Sequence, residues 1–92
     1  MIILRGYLEE IFNDIVKDPN FTRKVTQAFL QELKIAANIQ SKVSFWAGYF
    51  FGRRMAMEEL LKIDLSKEER VKLFEILKRR IHELTQIFLI EL

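Results

Sequence analysis

The side chains best suited to catalysis or metal binding are few in this chain. His82 is the only histidine, and cysteine is absent. A metal site in a helical bundle needs inward-facing carboxylates, often with a Glu-x-x-His motif, and the sequence has no such motif. A general base needs a convergent partner and a pocket, whereas His82 falls among charged residues on the polar side of a helical pattern. We therefore expect no catalytic residue, no metal site and no cofactor.

The glycines do not form a phosphate-binding loop. Gly48 and Gly52 lack the Gly-Lys-Ser/Thr ending of a P-loop, and no strand pattern precedes them. The serines lie at positions typical of helix caps and packing contacts, with no histidine placed to activate them. We expect the protein not to be an enzyme.

Short basic clusters raise nucleic-acid binding as an alternative function. The residues that would carry it are Arg53, Arg54, Lys78, Arg79 and Arg80. Three consecutive residues span about 200° of a helix, so the second cluster does not present one basic face. The net charge is only +2, which is weak support for binding a polyanion. The alternative needs tertiary packing, or a dimer, to gather these side chains.

Composition indicates one folded domain spanning residues 1–92. Hydrophobic residues make up 50% of the chain and aromatic residues 12%, which is too apolar for a disordered segment. The longest charge-free apolar stretch, residues 43–52, is about half of the roughly 20 residues that a membrane-spanning helix needs. No signal sequence is recognisable. We expect a cytoplasmic protein with no membrane partner, and the scarcity of Gly, Pro and Cys is typical of a thermophile.

Apolar residues at spacings of three and four predict helices, and no period of two predicts a strand. The predicted helices span about 2–17, 19–37, 41–63 and 66–91. Asp18 before Pro19 suits an N-cap followed by a first helical residue, and Ser66 with Glu69 forms a capping box. The expected fold is all-α, a small antiparallel bundle of about four helices completed by homodimerisation.

The boundary between the second and third helices is the least defined. It contains neither glycine nor proline. Asn38 is expected to take a left-handed conformation that ends the second helix, and Ser41 to cap the third. An unbroken helix over residues 19–63 is the alternative.

Each helix has one face that is expected to be buried. These faces comprise Leu4, Leu8, Ile11, Phe12 and Ile15; Phe21, Val25, Phe29, Leu33 and Ala36; Ile39, Val43, Trp46, Phe50, Met57 and Leu60; and Phe74, Leu77, Ile81, Leu84 and Phe88.

The third helix has a second distinctive face, made of small residues four positions apart. This stripe consists of Ser44, Gly48, Gly52 and Ala56, with Phe45, Phe51 and Met55 beside it. A glycine inside a helix costs about 1 kcal/mol relative to alanine, and a common compensation is close approach by another helix. That helix is either the second or fourth helix of the same chain, or belongs to a second copy. A third alternative is that the glycines merely break the helix.

Apolar residues surround the third helix on all sides, which favours association. Five aromatic residues fall within residues 45–51, and a helix that is apolar all round belongs in a large interior. A single chain of 92 residues has little interior, and exposed apolar patches usually mark interfaces. We predict a small protein-interaction module, a scaffold, adaptor or regulatory subunit, that acts as a homo-oligomer through the third helix. A dimer is favoured, and a different protein is a possible further partner.

Overall fold

A computed structural model describes the backbone of residues 2–90 and the side chains of residues 3–90. The described residues form four helices and no strand, as predicted. The helices are α1 (Ile2–Lys17), α2 (Pro19–Glu32), α3 (Ile39–Leu61) and α4 (Lys67–Leu89). Residue 91, the predicted end of the last helix, lies outside the described residues.

The core forms where α3 runs antiparallel to both α1 and α4. On the α1 side, the rings of Phe12 and Phe50 have centroids 4.6 Å apart. On the α4 side, the Lys42 ammonium lies 5.8 Å from the centroid of the Phe88 ring. The bundle measures 39 × 23 × 20 Å, close to the length of about 34 Å of a 23-residue helix. The predicted face of α1 is buried throughout.

Two helices begin at the caps that the sequence indicates. The Asp18 carboxylate accepts a hydrogen bond from the Phe21 amide at 3.1 Å, and Pro19 is the first residue of α2. At α4, the Ser66 hydroxyl accepts from the Glu69 amide, while a Glu69 carboxylate oxygen accepts from the Ser66 amide. Both caps satisfy backbone donors that would otherwise lack a partner at a helix start.

The second helix ends earlier than predicted, and the alternative of one unbroken helix is wrong. Lys34 adopts a left-handed conformation with φ of 56°. Its amide donates to the Gln31 carbonyl, and the Ile35 amide donates to the Leu30 carbonyl, which is the Schellman pattern. A lysine occupies the position that glycine usually takes, so the sequence carried no visible stop signal.

Asn38 starts the third helix instead of ending the second, which corrects our expectation. Its backbone is extended, and its side-chain oxygen accepts from the Ser41 amide at 2.8 Å. The Ser41 hydroxyl oxygen accepts in return from the Asn38 amide at 3.1 Å. Ser41 therefore belongs to the cap, but as the third helical residue rather than as the N-cap.

The predicted buried face of α2 is wrong by about one residue. Of Phe21, Val25, Phe29, Leu33 and Ala36, only Val25 is even partly buried. The buried residues are Thr22, Thr26 and Leu30.

Hydrogen bonds explain this rotation of α2. The Trp46 indole N–H donates to the Thr26 hydroxyl at 2.6 Å, and the Thr22 hydroxyl donates to the Ile15 carbonyl at 2.7 Å. A buried indole N–H or carbonyl without a partner is costly. The two threonines satisfy both groups only when they face the core.

Single positions at the ends of the other predicted faces are also exposed. Phe74 is half exposed, and Leu60 in the last turn of α3 is 75% exposed. The connection after α3 folds back over that end, and its Leu65 is buried in the core instead. On α4, Leu73 and Ile76 are buried in place of Phe74.

Arg80 is buried within the predominantly apolar face of α4, which the sequence did not indicate. Its guanidinium donates to the Glu83 carboxylate at 2.7 Å and to the Glu9 carboxylate at 2.8 Å. Burial by itself would lower the pKa of Arg80, but the hydrogen bonds to Glu83 and Glu9 outweigh it and raise the pKa above its ordinary value. Arg80 therefore stays charged and ties α1 to α4.

The capping box of α4 should make stability depend on acid pH. The Ser66 amide and hydroxyl hold the pKa of Glu69 below its ordinary value, so the carboxylate stabilises the fold above the unfolded pKa of about 4.3. This contribution is lost as the pH falls through the lower folded-state pKa. Urea unfolding should therefore show that Glu69→Gln loses less stability than the wild type when the pH falls from the unfolded-state pKa of Glu69 to its lower folded-state pKa. Removing the N-cap hydroxyl in Ser66→Ala should lower the free energy of unfolding by about 1 kcal/mol. If the pH dependence of unfolding is the same in Glu69→Gln as in the wild type, the capping role of Glu69 is contradicted.

Thr26→Val should destabilise the fold although it keeps the side-chain shape. The change leaves the buried Trp46 N–H without its acceptor, at a cost of about 1–3 kcal/mol. Thr85→Val is the matched control, because Thr85 donates only to the carbonyl of Ile81 in its own helix turn. Equal unfolding free energies for the two variants would show that the indole hydrogen bond does not stabilise α2.

Candidate interaction surface

The face of α3 that carries the small stripe is open in the protomer. Of the seven residues predicted for the interface, only Phe45 is partly buried. The exposed residues are Ser44, Gly48, Phe51, Gly52, Met55 and Ala56, and we call these six the α3 outer face. Phe51 and Met55 are each 48% exposed, so two large apolar side chains border the small residues.

No other helix of the protomer closes on this stripe. A Cβ atom built on Gly48 or Gly52 would meet no atom within 4 Å in the described chain. The expectation that α2 or α4 packs against the glycines is therefore wrong. The alternative that the glycines break the helix is wrong as well, because α3 continues through both of them. The helix-propensity cost of two glycines has no compensating contact inside the protomer.

None of the six residues of the α3 outer face is charged, but one arginine borders it. The Arg54 guanidinium lies 4.8 Å from the centroid of the Phe51 ring and 3.6 Å from the Met55 sulfur. Arg54 is itself buried and forms an ion pair with Glu58 at 2.9 Å. The Arg53 guanidinium lies over the rings of Tyr7 and Tyr49, towards α1. An uncharged exposed face has little desolvation cost when it meets another apolar surface.

The protomer exposes more surface than its mass requires. Its accessible area is 6494 Å² at 11.0 kDa, whereas a monomer of this mass has about 5,600 Å². The surplus is about 900 Å² relative to an average monomer of this mass.

A second apolar surface, not predicted from the sequence, lies on α2. Phe21 and Leu33 are more than half exposed, and Phe29 is 40% exposed. This surface meets α3 where the rings of Phe29 and Phe45 approach to 4.4 Å between centroids. The only sequence signal for this surface was the pair Thr22 and Thr26 beside the apolar stripe. Two threonines one turn apart indicate the buried face only when a buried donor or acceptor elsewhere needs their hydroxyl groups.

The basic residues of the nucleic-acid alternative do not form one free face. Arg54 and Arg80 are buried and ion-paired. Arg79 binds Glu9 at 2.6 Å, and Lys78 lies 3.8 Å from an oxygen of Glu75. Arg53 is exposed at the edge of α3.

Other kinds of site find no support among the described residues. His82 is exposed. No group of three or more His, Cys, Asp or Glu side chains within the described part of the chain could hold a metal ion. No helix among those residues is long and apolar enough to cross a membrane.

Comparison with known protein families, with curated proteins and with solved structures finds no match for this chain.

Replacing each helical glycine by alanine should stabilise the isolated protomer by about 1 kcal/mol per site. Gly48 and Gly52 have room for the added methyl group, and so does Gly6 in α1, which serves as the matched control. Unfolding should be measured at a dilution at which light scattering shows a monomer. If Gly48→Ala destabilises the monomer while Gly6→Ala stabilises it, a neighbouring segment approaches Gly48 more closely than described above.

Proposed function

We propose that this protein is a small protein-interaction module, a scaffold, adaptor or regulatory subunit, that works as a homodimer through the α3 outer face. The observation that carries the proposal is the pair of helical glycines whose added Cβ atoms would meet nothing in the protomer. Their cost is offset if a second helix packs closely against them. The exposed Phe51 and Met55 beside the glycines support the same proposal, because exposed apolar surface usually marks an interface.

A second copy suits this face because the stripe is symmetric along the helix. Its four small residues are evenly spaced about position 50. In an antiparallel two-fold pair, Ser44 would oppose Ala56 of the second copy, and Gly48 would oppose Gly52. Such reciprocal contacts are what a two-fold interface requires. Met55 would then lie near Phe45 of the second copy, so that large apolar side chains flank the contacts between the small residues.

The dimer would leave the apolar surface of α2 available for a different protein. Phe21 and Leu33 are more than half exposed and do not belong to the proposed helix pair. Nucleic-acid binding is the weaker proposal, because it depends on Arg53, Lys78 and Arg79 alone once the buried, ion-paired arginines are set aside.

Light scattering across protein concentration, at low and high salt, tests the proposed dimer. We expect a dimer whose mass changes little with salt, because the six residues of the α3 outer face carry no charge and the bordering Arg54 is paired with Glu58 of its own chain. Gly48→Leu and Gly52→Leu should each weaken association by about 2–6 kcal/mol, since overpacking acts twice in a two-fold dimer. Gly6→Leu should leave association unchanged, and its monomer serves as the stability control. A wild-type monomer at every concentration would overturn the proposal.

Disulfide cross-linking distinguishes the antiparallel arrangement from a parallel one. The chain has no cysteine, so single substitutions give a clean background. A mixture of Ser44→Cys and Ala56→Cys protomers should form the mixed disulfide when oxidised. Either variant alone should stay uncross-linked, because its two thiols would lie at opposite ends of the helix pair. Efficient cross-linking of Ser44→Cys with itself would instead show parallel pairing.

A further inference from the structure

A groove between α1, α2 and α3 lies beside the core and apart from the α3 small stripe. Its volume is about 310 Å³, at the small end of the roughly 300–1,000 Å³ typical of small-molecule sites. Aromatic side chains from all three helices line it, namely Tyr7, Phe21, Trp46 and Tyr49. The Trp46 and Tyr49 rings meet edge to face with centroids 5.6 Å apart, so this part of the wall is braced by the core.

Two carboxylates of α1 line the same groove without a partner. Glu10 and Asp14 are one helical turn apart and both exposed. Neither forms an ion pair or side-chain hydrogen bond with any described residue. Like charges at this spacing repel each other, and a bound cation would relieve that repulsion.

Two of the four aromatic rings in the groove already contact a cation of the protein itself. The Arg53 guanidinium lies 5.5 Å from the Tyr7 centroid and 6.0 Å from the Tyr49 centroid, whereas no such contact is seen at Phe21 or Trp46 among the described residues. These distances are typical of cation–π contacts. Arg53 forms no ion pair with Glu10 or Asp14 in the described structure, so the carboxylate end is not neutralised from within.

We propose that the groove binds a small organic cation, an ammonium or guanidinium group on an apolar body. The apolar body would lie between Phe21 and Trp46, and the cationic group would face Glu10 and Asp14. Aromatic faces and nearby carboxylates both favour a cation over a neutral ligand or an anion. Two carboxylates against one arginine give the groove a net negative charge. The proposal does not depend on dimerisation through α3.

Trp46 fluorescence provides a direct binding assay, because Trp46 is the only tryptophan and lines the groove. Choline chloride is the probe, and 3,3-dimethylbutan-1-ol is its neutral isostere. We expect saturable quenching or a spectral shift with choline, and association at least about threefold weaker with the neutral isostere. A sodium chloride titration at matched ionic strength corrects for salt. Absence of saturable binding, or equal binding of the two probes, would overturn the proposal.

Exposed substitutions test which groove residues bind the probe. Asp14→Asn and Phe21→Ala should each weaken choline binding about three- to tenfold. Both side chains are exposed, so circular dichroism should show an intact fold. Glu32→Gln is the matched control, because it removes an exposed carboxylate outside the groove. If Glu32→Gln and Asp14→Asn weaken choline binding equally, the attraction is nonspecific and the proposed site is contradicted. Gly48→Leu should bind choline as the wild type does, because Gly48 lies outside the groove.

Discussion

The hydrogen bond from the buried Trp46 indole to Thr26 decides how α2 sits on the bundle. Together with the bond from Thr22 to the Ile15 carbonyl, it turns two threonines inward. A more apolar face was available on the same helix, but it has no acceptor for the indole N–H. Because a buried donor without a partner is costly, hydrogen bonding determines the rotation of α2 and leaves its phenylalanines at the surface.

That rotation shapes both surfaces that we associate with function. It places Phe21 at the end of the groove that also contains Trp46, and it brings Phe29 against Phe45 beside the α3 outer face. With α2 turned by one residue, neither arrangement would form. The α3 glycines are open, because no atom of the described residues lies within 4 Å of a Cβ atom added at either of them.

Charged residues in the core account for the loss of a basic face. Arg80 binds Glu9 and Glu83 at the edge of the core, and Arg54 binds Glu58. Arginine can take such positions because its long apolar stem packs in the core while its guanidinium is hydrogen-bonded at the margin. The same side chains, read only as positive charge, had suggested a polyanion partner.

Local chemistry made much of the helical framework readable from the sequence. Spacing predicts the buried face of α1, and the Asp18 and Ser66 caps are visible because each acts on amides within three residues. The Lys34 stop was not readable, since the conformation that ends α2 is taken by a residue with no preference for it. Periodicity also identified the small stripe on α3, though not whether the protomer covers it.

Only the tertiary structure decided which of two adjacent faces of α2 is inside and whether anything covers the α3 glycines. The orientation of α2 depends on a partner distant in sequence, because the Trp46 indole is 20 residues from Thr26. The burial of Arg80 does so too, because its partner Glu9 is 71 residues away. A helical period ranks faces by hydrophobicity alone. The period takes no account of a buried donor or charge. Leaving such a group without a partner can cost more free energy than burying one more apolar side chain gains.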